Sequence, residues 1–228
     1  MHKYRVLLAA CALATITLVG CHDPAGVPND MHAATTATTY CYPMLDDNAT
    51  GWVSKSIDGQ SPNGWYAETT GNIKRHYHLE NSYVHPKSYG FCFFNVPHFS
   101  SPGAVPVCTL FYHQASHSGS LNLVFNWLSD IGSTWPPNAE SLWKAIDASN
   151  DTLALTQAAA GDTWCKLALT TGGGIIDNIG ENAPVGGSAP LYTGWKYTNP
   201  SNDWYTIVHG KDDVDYSPYI KVVYYPYP

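Results

Sequence analysis

From Tyr40 to Tyr225, short runs rich in Tyr, Phe, Trp, Val and Thr alternate with clusters of Gly, Pro, Asn and Ser. β-Branched and aromatic residues suit a pleated strand and the intervening types suit turns, so the pattern predicts strands joined by tight loops. Nine segments qualify: Thr50–Ile57, Gly64–Glu68, Tyr89–Val96, Val107–His113, Leu121–Leu128, Trp164–Leu169, Gly194–Thr198, Trp204–His209 and Ile220–Tyr225. Period-two alternation is clearest in Trp164-Cys165-Lys166-Leu167-Ala168-Leu169 and Tyr219-Ile220-Lys221-Val222-Val223-Tyr224. There Lys166 and Lys221 point one way and the flanking apolar groups the other, so one face of each strand is expected to be buried. Nine short strands at irregular spacing predict an all-β chain, a two-sheet antiparallel β-sandwich.

One segment departs from this period. Between Asn138 and Ala148, Ala139, Glu140, Leu142, Trp143, Ala145 and Ile146 favour helix, and Leu142, Trp143 and Ile146 share a face. Pro136 and Pro137 before it and Ser149-Asn150-Asp151 after it are stop signals. A second short helix is expected at Leu155–Ala160, and Gly172-Gly173-Gly174 reads as a flexible turn lacking the Lys and Ser or Thr of a phosphate loop. Nothing repeats at a fixed period, which argues against solenoids and propellers.

The N-terminus carries a different signal. Lys3 and Arg5 precede an apolar run, Val6 to Gly20, too short to span a bilayer comfortably and followed by His22, Asp23, Pro24 and Gly26. Its end, Leu18-Val19-Gly20-Cys21, resembles the lipobox of bacterial lipoprotein precursors. The resemblance implies cleavage before Cys21 and acylation of its thiol, giving a protein of the bacterial cell envelope held to the membrane by a lipid anchor. His22, where an aspartate would argue for inner-membrane retention, resembles outer-membrane sorting. The expected organisation is residues 1–20 as signal, 21–38 as acylated cysteine and Pro-, Gly-, Ala- and Thr-rich tether, and 39–228 as one sandwich domain.

Cleavage would leave nine of the 11 basic residues against all 18 acidic ones, a formal charge of −9. That excess argues against nucleic acid or an anionic membrane surface as partner, since both need clustered Lys and Arg. It would also leave Cys41, Cys92, Cys108 and Cys165 in a compartment where disulfides form, and an even set of four suggests two bridges. Three pairings are open, with Cys92–Cys108 and Cys41–Cys165 the first choice; zinc is less expected, because no C-x-x-C occurs. The sequence leaves the oligomeric state open.

From Gly64 onward, the chain resembles the jelly-roll modules of secreted bacterial proteins described by a DNRLRE signature. The resemblance rests on Gly90-Phe91-Cys92-Phe93-Phe94-Asn95-Val96-Pro97, on Val107-Cys108-Thr109-Leu110-Phe111-Tyr112, and on Ser217-Pro218 leading into Tyr219–Tyr224. It implies a jelly-roll sandwich of the noncatalytic, carbohydrate-binding kind, and it carries no catalytic residues across.

Three side-chain sets could carry chemistry. His76 and His78 would share a strand face and chelate a metal if His85 or His98 approached, the basis of an alternative reading as a metal-dependent enzyme. His113 and His117 read as a strand end and turn, and surface histidine is the simpler reading of all of them. Asp212, Asp213 and Asp215, with Asp46 and Asp47, could pin a loop through structural calcium, although a solvated turn explains them as well. No G-x-S-x-G turn supports nucleophilic catalysis. The aromatics Trp52, Trp65, Tyr66, Trp135, Trp195, Tyr197, Trp204 and Tyr205 sit mostly where strand meets loop. Such rings can stack on the apolar face of a sugar, so Trp195, Tyr197, Trp204 and Tyr205 are the predicted contact of a noncatalytic module for glycan or cell-surface polymer. A structural or adhesive protein that binds other proteins is the rival, and it predicts no exposed row of coplanar aromatics.

Overall fold

A computed structural model describes residues 35–55, 65–68, 73–76, 79–80, 83–84, 87–102, 104–118, 122–157, 161–198 and 205–226. The signal, Cys21 and most of the expected tether therefore lie outside the described residues. The chain runs β1 (Ala37–Pro43), β2 (Thr50–Lys55), β3 (Trp65–Glu68), β4 (Ile73–His76), β5 (Leu79–Glu80), β6 (Tyr83–Val84), β7 (Lys87–Pro97), β8 (Val107–Ser118) and β9 (Asn122–Trp127). Then follow α1 (Ala139–Ala148), β10 (Thr152–Gln157), β11 (Thr163–Ala168), α2 (Gly173–Asn182), β12 (Ser188–Tyr197), β13 (Tyr205–Val208) and β14 (Tyr219–Tyr224). No helix among the described residues is long and apolar enough to cross a membrane.

The strands form the expected antiparallel sandwich. In the back sheet the order is β10-β9-β12-β7-β2-β3. In the front sheet β14 and β13 line one edge of β8 and β11 the other, with β1 outside β14 and β4 outside β13. β1 serves both sheets: Ala37–Cys41 pair with β14, and Tyr42 and Pro43 pair with β7. The inner faces meet at Tyr112 of β8 and Trp195 of β12, whose rings pack edge to face with centroids 5.1 Å apart.

Burial explains why the alternation is legible in some strands and not in others. In β7, Tyr89 through Phe94 are all buried, because the back sheet is covered on both sides. On its outer side lies α1, with Trp143 stacked on Tyr89 at 5.3 Å and Ile146 against Gly194. The helix starts where Asn138 caps it, accepting from the amides of Glu140 and Ser141 through Oδ1, and its buried Leu142, Trp143 and Ile146 form the expected face. Lys196 of β12 donates to the carbonyls of Asp147 and Ser149 at the other end. Among the described residues no helix covers the outer face of β1, β14 and β11, and these strands alternate.

Several expectations are corrected. Leu155–Gln157 belong to β10, since pairing with β9 outweighs their helix propensity. Gly173 and Gly174 open α2, where a Cβ on Gly173 would meet the carbonyl oxygen of Pro106 at 2.6 Å and one on Gly180 the Phe99 ring at 2.4 Å. Those glycines let a helix lie tight against the sandwich end. β8 runs on through His113 to Ser118 instead of turning, because β13 pairs with its second half.

Cys41, Cys92, Cys108 and Cys165 are free thiols, in place of the expected two disulfides. Register gives the reason. Tyr42 faces Asn95, which puts Cys41 and Cys92 four residues out of step, about 13 Å along neighbouring strands. Cys108 stands beside Leu169, again four residues from Cys165, and β14 separates Cys41 from Cys108 by two strand spacings, about 10 Å. Cys41 on β1 and Cys165 on β11 have β14 and β8 between them, three strand spacings or about 14 Å, while Cys92 is in the back sheet and Cys108 in the front. Bridged cysteines need Cα atoms within about 7 Å.

Candidate binding surface

The open outer face of the front sheet carries a strip of aromatic rings, assembled by strand register. Tyr219 of β14 lies directly opposite Phe111 of β8, and Phe111 opposite Lys166 of β11. One step beyond the Cys41–Ile220 pair, Tyr42 of β1 comes level with Tyr219, with ring centroids 6.2 Å apart. Four strands at about 4.8 Å spacing make a row about 14 Å long. Tyr40 flanks it, 6.2 Å from Tyr42 and 6.0 Å from Tyr219. On the other flank Trp164, paired with His113, lies 6.2 Å from both Tyr219 and Tyr216.

The strip has two kinds of ring. Phe111 and Tyr219 stack on each other at 4.8 Å with planes 9° apart, and Lys166 Nζ stands 5.6 Å from the Phe111 centroid. Those inner faces are largely taken by neighbours. At the ends, Tyr42 and Trp164 keep 57% and 43% of their surface, and Tyr40 is also exposed. Interplanar angles of 25°, 45°, 56° and 64° between the outer rings and their neighbours make the strip stepped rather than coplanar. Lys221, directly opposite Tyr40, and Thr109 beside it add donors and an acceptor. The chemistry offered is apolar ring surface edged by phenol hydroxyls and ammonium groups, which suits a ligand with apolar faces and hydroxyl rims.

The predicted contact residues behave otherwise. Trp195 and Tyr197 retain 3% and 6% of their surface; β12 is central in the back sheet and turns both rings into the core, Trp195 against Phe125 and Tyr112. They hold the sandwich together and are not available to a ligand. Trp204 lies outside the described residues, as does the Tyr205 side chain, although the Tyr205 backbone pairs with His76 and Ser118. Trp135 is exposed and donates its indole N–H to Asp46 at 2.8 Å.

No protein-family model matches the chain, and no curated protein does. Among solved structures it is similar to the K1 cleaved adhesin domain of Lys-gingipain from Porphyromonas gingivalis W83, at 12% identity and a TM-score of 0.32, over 82% of this chain and 97% of that one. The K3 cleaved adhesin domain of the same protein gives 13% identity and a TM-score of 0.33, over 81% and 99%. Likenesses this distant carry nothing over to this chain.

The remaining candidates separate. His76 contributes only its backbone to β4, and its side chain, His78 and His85 lie outside the described residues. His98 is 2.9 Å from the Ala183 carbonyl through Nδ1. Of the acidic loops, Asp46 accepts from the amide and side chain of Asn48 and from Trp135, which holds its carboxyl below the usual range. Asp47 and Asp212 meet at the Lys211 ammonium, 3.3 Å and 2.8 Å away, so these acids already share a cation of the protein's own. Sequence alone does not show the strip, because the expected strands begin only at Thr50 and leave Tyr40-x-Tyr42 outside them, and because Phe111, Trp164 and Tyr219 are ordinary strand aromatics until register aligns them.

Proposed function

We propose that the protein is a noncatalytic binding module of the bacterial surface, held by a lipid on Cys21, that takes glycan or a hydroxyl-rich surface polymer across the front sheet. The observation that carries this reading is the exposed aromatic strip from Tyr40 and Tyr42 to Trp164. Sugar C–H faces would lie on the exposed Tyr42 and Trp164 rings while Lys166, Lys221 and the tyrosine hydroxyls bond ring hydroxyls. The lipobox-like Leu18-Val19-Gly20-Cys21 supports the anchor, and His22 supports sorting to an outer membrane. The mutual stacking of Phe111 and Tyr219 favours a second reading, a flat protein partner, for which Tyr and Trp are the usual anchors.

The test is binding of the purified protein to a broad glycan array, repeated with Tyr42→Ala and Trp164→Ala. The expected result is selective glycan binding lost in both variants with unfolding midpoints unchanged, since both side chains are exposed. Glycan binding that survives both changes, or an array without selective binding, overturns the glycan reading.

A further inference from the structure

One end of the strip holds a cluster that neither the strip nor the core explains. His113 of β8, His209 just after β13 and Asp162 in the β10–β11 turn each bring one donor atom to within 4.8 Å of the other two. His113 is 5% exposed, and its Nδ1 is buried without a hydrogen-bond partner, 3.4 Å from Asp162 Oδ1. His209 Nδ1 is likewise buried with no hydrogen-bond partner, although Asp213 Oδ2 stands 2.7 Å away at ion-pair distance. Two buried imidazole nitrogens therefore face carboxylates at ion-pair distance without a hydrogen bond, an arrangement that a cation held among them would complete.

The surroundings hold these groups in place. Tyr216 stacks on His113 at 3.9 Å, and Trp164 meets it edge-on at 5.4 Å. The His209 amide donates to the His113 carbonyl at 3.0 Å, fixing the two strands side by side. Gly161, at φ +84°, donates its amide to His117 Nδ1 and accepts from Gln114 Nε2 through its carbonyl, which clamps the turn to β8 and sets Asp162 beside His113. Asp162 is 72% exposed in its side chain, which leaves the cluster open to solvent on one side.

We infer that His113, His209 and Asp162 bind a divalent transition-metal ion of the zinc class, with Asp213 adding a second negative charge beside it. Two imidazoles and a carboxylate are a donor set for zinc, whereas calcium demands oxygen alone. Tetrahedral zinc with bonds of about 2.0 Å separates its donors by about 3.3 Å, close to the 3.4 Å already present between His113 and Asp162. The ion joins three segments distant in sequence and pins the loop between β13 and β14, next to Trp164 and Tyr216. It leaves a coordination position on the solvent side.

The test uses the purified full chain, stripped with a chelator and titrated with Zn²⁺ alone, with calorimetry, metal content and thermal unfolding read together. Expected are one saturable ion per chain and a raised unfolding temperature. Asp162→Asn, exposed and isosteric, should weaken binding at least about tenfold, and His209→Gln should abolish it, whereas His78→Ala leaves it intact. His113→Ala is a poorer test because that ring is buried in the fold. No saturable zinc, or zinc retained by Asp162→Asn and His209→Gln but lost in His78→Ala, overturns the site.

Discussion

At the residue scale, three glycines separate space from conformation. A Cβ at Gly194 would sit 2.6 Å from Ile146 Cγ1, and one at Gly180 would sit 2.4 Å from the Phe99 ring, whereas Gly174 has open space around it. Gly194→Ala and Gly180→Ala should each cost about 1–3 kcal/mol through overpacking. Gly174→Ala, in the first turn of α2, should be neutral or stabilising by up to about 1 kcal/mol. Urea unfolding of the three variants checks the contrast, and equal losses would contradict it. The thiols make a second residue-scale prediction. Burial pushes Cys41 and Cys108 up to about 12 and Cys92 well above the ordinary thiol range. The thiolate is the reactive form, so native protein at pH 8 should leave these three unlabelled until it unfolds, with half-buried Cys165 the first to react. Rapid labelling of Cys92, read by peptide mass mapping, would contradict the packing.

At the element scale, α1 shows how a local signal and a tertiary contact combine. Asn138 satisfies two amides that the first turn would otherwise leave open, so Asn138→Ala should cost about 1 kcal/mol. Ile146→Ala should cost about 2–5 kcal/mol, because Ile146 fills the space above Gly194 and is fully buried. Thermal unfolding that ranks Asn138→Ala above Ile146→Ala would mean the helix is held by its cap instead of by the sheet. β10 is the opposite case. Leu155 and Ala158–Ala160 carry a helical composition, yet pairing from Thr152 to Gln157 with β9 gives the segment its hydrogen bonds as a strand. Propensity differences of a few tenths of a kcal/mol per residue do not compete with a completed ladder.

At the scale of the whole molecule, Asp46 ties the β1–β2 turn to Trp135 in the loop between β9 and α1. Its carboxyl is held below the ordinary carboxylate value by the Asn48 amide first and the Trp135 indole second. A depressed acid contributes stability above its unfolded value of about 4, and that contribution is lost as pH falls through the lower folded value. Unfolding midpoints of the wild type and Asp46→Asn should therefore differ at neutral pH and converge under acid; a gap that widens under acid would refute the link. The all-β sandwich and α1 could be read directly from the chain, because period two, period 3.6 and turn residues are local properties of a few consecutive side chains. The free thiols, the core position of Trp195 and Tyr197, the strip from Tyr42 to Trp164 and the meeting of His113 with His209 and Asp162 could not. Each depends on which strands pair and in what register, and a shift of one residue would turn every one of those side chains to the other face of its sheet.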